Sequence, residues 1–235
     1  GQRPVAVDIE TDSIDALTAN LRMIGVATTD EAYSIPWRDW YMNYYSVNEW
    51  RPIHTELCNL FRDEENKLVF QNKIYDIPCL ERYFGRIVAE RHDTLLLHHA
   101  LFPKVPHDLQ FLTAHFLPSP PWKSEFDEAN AGWIKQGEAE TAEETANTLW
   151  YNGADAASTI AVYDRMVPML EQLNVGDVYD CDRRMMDVAI DWFKRGILID
   201  MDEVRRLMLV YRSGDSQRPG KLDELDERIA VVAAE

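Results

Sequence analysis

Cysteine is scarce in this chain: Cys58, Cys79 and Cys181 are the only three in 235 residues. They are scattered and odd in number, so they read neither as a disulfide framework nor as a zinc ligand pattern. A reducing intracellular compartment fits that usage. No apolar run approaches the roughly 18 to 20 residues needed to cross a bilayer, so no membrane partner is expected. No signal peptide is visible, because Gly-Gln-Arg-Pro leads at once into a strand-like segment. Basic residues are in deficit: 24 Lys and Arg stand against 41 Asp and Glu, a formal net charge of −17. That excludes a surface that attracts nucleic acid as a whole. It leaves room for local basic patches, and for an acidic site that reaches a phosphodiester through bound cations. Internal repeats and low-complexity tracts are absent.

What is present is an ordinary globular composition, 46% hydrophobic, with seven Trp and ten Tyr. The length suits one large domain, or one domain with an appendage. The stretch Val5-Ala6-Val7-Asp8-Ile9-Glu10-Thr11 organises the reading. In a strand, residues i and i+2 share a face, so Asp8 and Glu10 point together while Val7 and Ile9 point into a core. Neighbouring carboxylates raise each other's pKa unless a cation sits between them. We read this buried edge strand as half of a divalent-metal site.

Strands are expected over 4–11, 21–28 and 31–36, an antiparallel meander, and again over 67–71. Trp37 to Tyr45 reads as an aromatic loop. Helical periodicity appears over 47–63, in the segment carrying Ile77, Leu80 and Phe84 before Gly85, over 94–102, and over 109–116 behind a capping Asp108. Residues 119–137 read as a long loop or lid. A long helix runs over 147–173, and further helices are expected over 179–195, 201–211 and 222–234. Strands followed by strand–helix alternation indicate an α/β domain with a mixed central sheet flanked by helices.

Two further segments complete the acidic pattern. In Gln71-Asn72-Lys73-Ile74-Tyr75-Asp76, Asn72 and Asp76 are four apart and would share a helix face. In Tyr151-Asn152-Gly153-Ala154-Asp155, Tyr151 and Asp155 have the same spacing. Asp8, Glu10, Asp76 and Asp155 thus come from three separate elements that can aim them at one point. Two-metal phosphodiester hydrolysis wants such a set. Hard Mg²⁺ or Mn²⁺ takes oxygen ligands, and a phenol such as Tyr151 can orient the attacking water.

In this order the three stretches resemble the three motifs of the DEDD 3′–5′ exonuclease superfamily. Tyr151, four before Asp155, places the chain in the tyrosine branch; Trp150 stands where the other branch has histidine. Flanking residues Asp8-Ile9-Glu10-Thr11-Asp12-Ser13-Ile14, Gln71-Asn72 with Tyr75-Asp76, and Asp93-Thr94 resemble the proofreading domain of family A DNA polymerases. The resemblance spans about residues 4–173. It implies an RNase H-like (DnaQ-like) exonuclease fold over 1–175. Trp192-Phe193-Lys194-Arg195-Gly196-Ile197-Leu198-Ile199-Asp200 resembles the entry to a family A polymerase thumb, so 176–235 is expected to be a helical extension. Palm and fingers motifs are absent.

The resemblance implies two Mg²⁺ or Mn²⁺ ions, a single-stranded DNA 3′ end as substrate, and a DNA polymerase domain or subunit as partner. Asp8, Glu10 and Asp155 match the ligands of the first ion, with Asp8 bridging to the second and Asp76 acting largely through water. Thr11, Ile14, Gln71, Asn72 and Tyr75 match residues near the terminal nucleotide, and His115 matches a cation near a phosphate. An RNA exonuclease and an inactive scaffold of the same fold are the alternatives. Plainer readings stand beside these. Ile14 can be a core residue and Asp93 a helix cap. The histidines at 98, 99, 107 and 115 can be structural. Lys73, Arg82, Arg86 and Arg91 form either a strand-binding groove or a solvated face. Pro121-Trp122-Lys123 is a candidate DNA-contacting loop.

Overall fold

The computed structural model describes residues 3–37, 45–118 and 142–213. Strands β1 (Val5–Thr11), β2 (Leu21–Ala27) and β3 (Ala32–Pro36) pair antiparallel in succession, the meander their spacing predicts. Strand β4 (Lys67–Phe70) then pairs parallel with β1, and β5 (Glu90–Asp93) parallel with β4. The order β3-β2-β1-β4-β5 makes β1 the central strand rather than an edge. Strand β5 has no counterpart in the sequence reading. Glu-Arg-His-Asp carries no apolar alternation, and only its pairing with β4 makes it a strand.

Period-two alternation divides the sheet into two faces. Val7, Ile9, Ile24, Leu68 and Phe70 face helices α1 (Val47–Arg62) and α2 (Lys73–Phe84), which bury Trp50, Phe61, Ile77, Leu80 and Phe84 against them. Ala6, Ala27 and Val69 face α3 (Thr94–Leu101), α4 (Leu109–Phe116) and α5 (Ala142–Gln172). Helix α1 starts in a capping box, with Ser46 and Glu49 bonding each other's backbone amides. Helix α2 stops at Gly85, whose positive φ of 74° suits a residue without Cβ.

Helix α6 (Gly176–Arg195) lies along the β5 edge. Asp187 takes Lys73 Nζ at 2.7 Å and Arg91 at 3.3 Å, Arg183 approaches Glu90 at 3.3 Å, and the Asp93 amide donates to the Tyr179 hydroxyl at 3.2 Å. An edge covered in this way cannot recruit another strand. Lys73 is fully buried and bonds three oxygens, so it forms neither a groove nor a solvated face.

By compactness the chain divides into 1–194 and 195–235, so residues 176–194 pack with the first unit. In the second unit the described helix is α7 (Met201–Ser213), capped by Asp200, which accepts from the amides of Asp202 and Glu203. The expected lid over 119–137, with Pro121-Trp122-Lys123, lies outside the described residues. So do the helix over 222–234 and most of the aromatic loop after Trp37. No helix among the described residues is long and apolar enough to cross a membrane.

Candidate active site

The β1–β4 ladder runs through Val5↔Leu68 and Ala6↔Val69, while the β1–β2 ladder continues to Thr11. Beyond Ala6, β4 gives way to the turn that starts α2. The C-terminal half of β1, with Asp8 and Glu10, therefore borders an opening at the carboxyl ends of parallel strands. Open α/β sheets bind ligands at such places.

Helix α5 closes the other side. Asp8 stands opposite Gly25 on β2. A Cβ on Gly25 would lie 2.8 Å from the Asn152 carbonyl oxygen, so only glycine lets α5 approach this closely. The approach brings Asn152 Nδ2 to 2.9 Å from Asp8 Oδ2, and one turn further on it buries Asp155. Tyr151 lies half-buried one turn before Asp155, in the expected i, i+4 relation.

Asp76 lies in the first turn of α2, where the helix N-terminus favours an anion. The shared-face reading of Asn72 and Asp76 needs correction. Asn72 is the N-cap of the helix in a left-handed conformation, φ 68°, so the helical i, i+4 relation does not hold for it. Asp93 is the reason for that turn. Its buried carboxylate accepts from the amides of Asn72 (3.2 Å), Lys73 (2.8 Å) and Leu95 (2.9 Å), and so caps both α2 and α3.

The acids feel one another. Burial pushes the Asp8 carboxyl well above the usual carboxylate range, and the charges of Asp155, Glu10 and Asp76 push it further; the Asn152 bond pulls it back. Asp76 is raised by burial first, then by Asp93 and Glu10, against hydrogen bonds from its own amide and that of Ile9. Among the described residues no three His, Cys, Asp or Glu side chains form a ready-made cage. The donor set is nonetheless all oxygen and multiply anionic, which fits a hard divalent cation and suits a soft one poorly.

A cleft of about 430 Å³ opens here, and its walls include Asp8, Gln71, Asn72 and Asp155. Thr11, Ser13 and Tyr75 form an adjacent knot instead: the Tyr75 hydroxyl donates to the Ser13 carbonyl and bonds Thr11 Oγ1. The knot holds up Ile14, 96% exposed, which rules out a core role for it. Gln71 is tied at both ends, its Nε2 donating to the His107 carbonyl at 2.8 Å and its Oε1 accepting from Thr94. His115 stacks on Phe111 at 6.1 Å within an aromatic cluster and does not line the cleft.

Sequence reading missed other parts of the wall. His107, Leu95 and Leu109 line the cleft from the α3–α4 region, and Gly25 and Asn152 set the approach of α5. Asn152 sits inside a motif already singled out, and its polarity on a face that buries Asp155 and Ala156 was the available signal.

The 3′–5′ exonuclease family model matches residues 1–171, and the chain belongs to that family: it is a nuclease, a phosphodiester hydrolase by class. The motif order agrees with that family: it resembles that of tyrosine-branch DEDD enzymes and of the proofreading domain of family A DNA polymerases. Solved structures share the RNase H-like fold. Brucella melitensis NrnC, also solved with bound Mg²⁺ and with pGG, is 14% identical, with a TM-score of 0.60 over 80% of this chain and 84% of its own. Escherichia coli RNase D, an exoribonuclease involved in structured RNA processing, is 13% identical, with a TM-score of 0.52 over 89% of this chain and 50% of its own. The POL domain of Pol1 from M. smegmatis, in complex with DNA primer-template and dNTP, is 12% identical, with a TM-score of 0.63 over 88% and 31%. Among curated proteins, none matches the chain.

Proposed function

We propose that this enzyme removes nucleotides from DNA 3′ ends with two divalent cations, Mg²⁺ or Mn²⁺, and proofreads for a family A type DNA polymerase, joined or separate. One observation carries the reading: β1, α2 and α5 bring the charges of Glu10, Asp76 and Asp155 close enough to Asp8 to raise its pKa, where Asp8 and Asp155 line a cleft. Those four carboxylates would hold the cations, which supply an acidified water and a stabilised leaving oxygen when bound. Tyr151 orients the attacking water through its phenol. Asn72 and Gln71 border the path of the terminal nucleotide. Ile14, raised on the Thr11–Ser13–Tyr75 knot, offers an apolar edge for the terminal base to rest against. Because net charge is −17, DNA binding is weak and salt-sensitive, and a nanomolar affinity at physiological salt contradicts this.

The test is digestion of labelled single-stranded DNA and a matched RNA, each with and without Mg²⁺ or Mn²⁺. Stepwise loss from the DNA 3′ end, abolished in Asp8→Ala and Asp155→Ala, supports the reading. Digestion of RNA alone moves the substrate to RNA. No digestion of either strand at any metal concentration leaves the inactive scaffold.

A further inference from the structure

Asn152 is a fully buried polar side chain on the helix that closes the cleft. Its Nδ2 donates to two acceptors of one residue, the Asp8 carboxylate Oδ2 at 2.9 Å and the Asp8 main-chain carbonyl at 3.3 Å. Its Oδ1 accepts the Ser34 hydroxyl at 2.6 Å. This network decides which way the amide faces. A flipped amide would set an oxygen with no proton against two Asp8 oxygens, and leave Ser34 facing an NH₂ group. Asp8 is in turn clamped at both ends, so its side chain cannot rotate without breaking one of the two bonds. Asn152 occupies one lone-pair position of Oδ2 and so leaves the carboxylate with acceptor capacity. Gly25 holds the clamp shut, since any Cβ there would strike Asn152.

We infer that Asn152 is a positioning residue that presents the Asp8 carboxylate to a divalent cation, and that Ser34 on the edge strand β3 sets the orientation of Asn152. The inference rests on the proposed role of Asp8 as a metal ligand. Nothing in the three-stretch pattern requires an amide at this position. The geometry assigns it, because a carboxylate facing three other acids needs a donor to hold it in one rotamer. Hydrogen-bond partners of metal ligands commonly govern affinity in this way.

The experiment uses the full chain and reads Mn²⁺ binding by titration calorimetry, with melting of the metal-free protein recorded alongside. Asn152→Leu keeps the volume and removes the donor. It weakens Mn²⁺ binding about 10- to 100-fold and raises by the same factor the Mn²⁺ concentration for half-maximal digestion, with KM for DNA unchanged. Ser34→Ala, at a half-buried edge position, weakens binding in the same direction by a smaller factor, and Ser34→Thr restores it. If Asn152→Leu does not fold, the Ser34 pair decides. Wild-type Mn²⁺ affinity in folded Asn152→Leu, or in Ser34→Ala, overturns the inference and leaves the proposed function standing. A wild-type chain that binds no Mn²⁺ overturns both.

Discussion

The two faces of the sheet solve different problems. On the α1–α2 face, large rings meet edge to face: Trp37 and Trp50 have centroids 4.6 Å apart at 84°, and Phe61 and Phe84 lie 4.9 Å apart at 62°. Such packing excludes water and contributes stability well beyond single contacts. On the α5 face the sheet offers Ala6, Gly25 and Ala27, and the helix answers with buried Thr148, Asn152, Asp155 and Thr159. Small residues let backbones approach, and the approach holds polar groups where bulk would have expelled them. Both faces bury an apolar core, and the α5 face spends part of that stability on a cluster of like charges.

Variants can break or sharpen this contrast. The largest effect is expected from Asp8→Asn, which lowers nuclease activity by about 10³-fold. It also raises the Tm of the metal-free protein, because it removes one charge from an acid cluster; a lowered Tm would contradict that electrostatic picture. Phe84→Ala, on the opposite face, costs about 3–5 kcal/mol of stability and leaves kcat per folded molecule unchanged, as denaturant titration and activity assays will show. Tyr151→Phe slows digestion about 10²-fold with calorimetric metal binding intact; full activity in this variant refutes the role of the phenol.

Gly25→Ala tests the close approach itself. The added methyl displaces α5, costs about 1–3 kcal/mol and lowers activity, whereas unchanged activity would mean the helix position is not critical. The smallest effect concerns His98, which packs against His107 with Nδ1 atoms 2.7 Å apart. Burial, then His107 and His115, hold its pKa down at about 4. The unfolded chain therefore binds the proton first. The stability this group contributes is full above its ordinary value near 6.5 and is lost as pH falls toward 4. Thermal melts between pH 7 and 4 should show a shallower loss in His98→Phe.

Much of this was legible in residue order. Asp8 and Glu10 follow from strand alternation, Tyr151 and Asp155 from helical spacing, and the meander from three short β-branched runs, because each depends on contacts within a few residues. Strand β5 was not legible, since Glu90–Asp93 owes its conformation to β4 and its cover to α6. Asn72 looked helical by spacing, yet its left-handed turn is set by Asp93, twenty-one residues away. Lys73 looked like a surface cation and is buried by Asp187, on a helix over a hundred residues further along.

The sequence by itself determined the acids, their order and the family, because those reside in local periodicity and residue chemistry. The tertiary structure alone decided how the acids meet. The missing Cβ at Gly25, the clamp of Asn152 on Asp8 and the shared cap at Asp93 are contacts between distant segments. Their energies exist only once the two faces of the sheet have been packed.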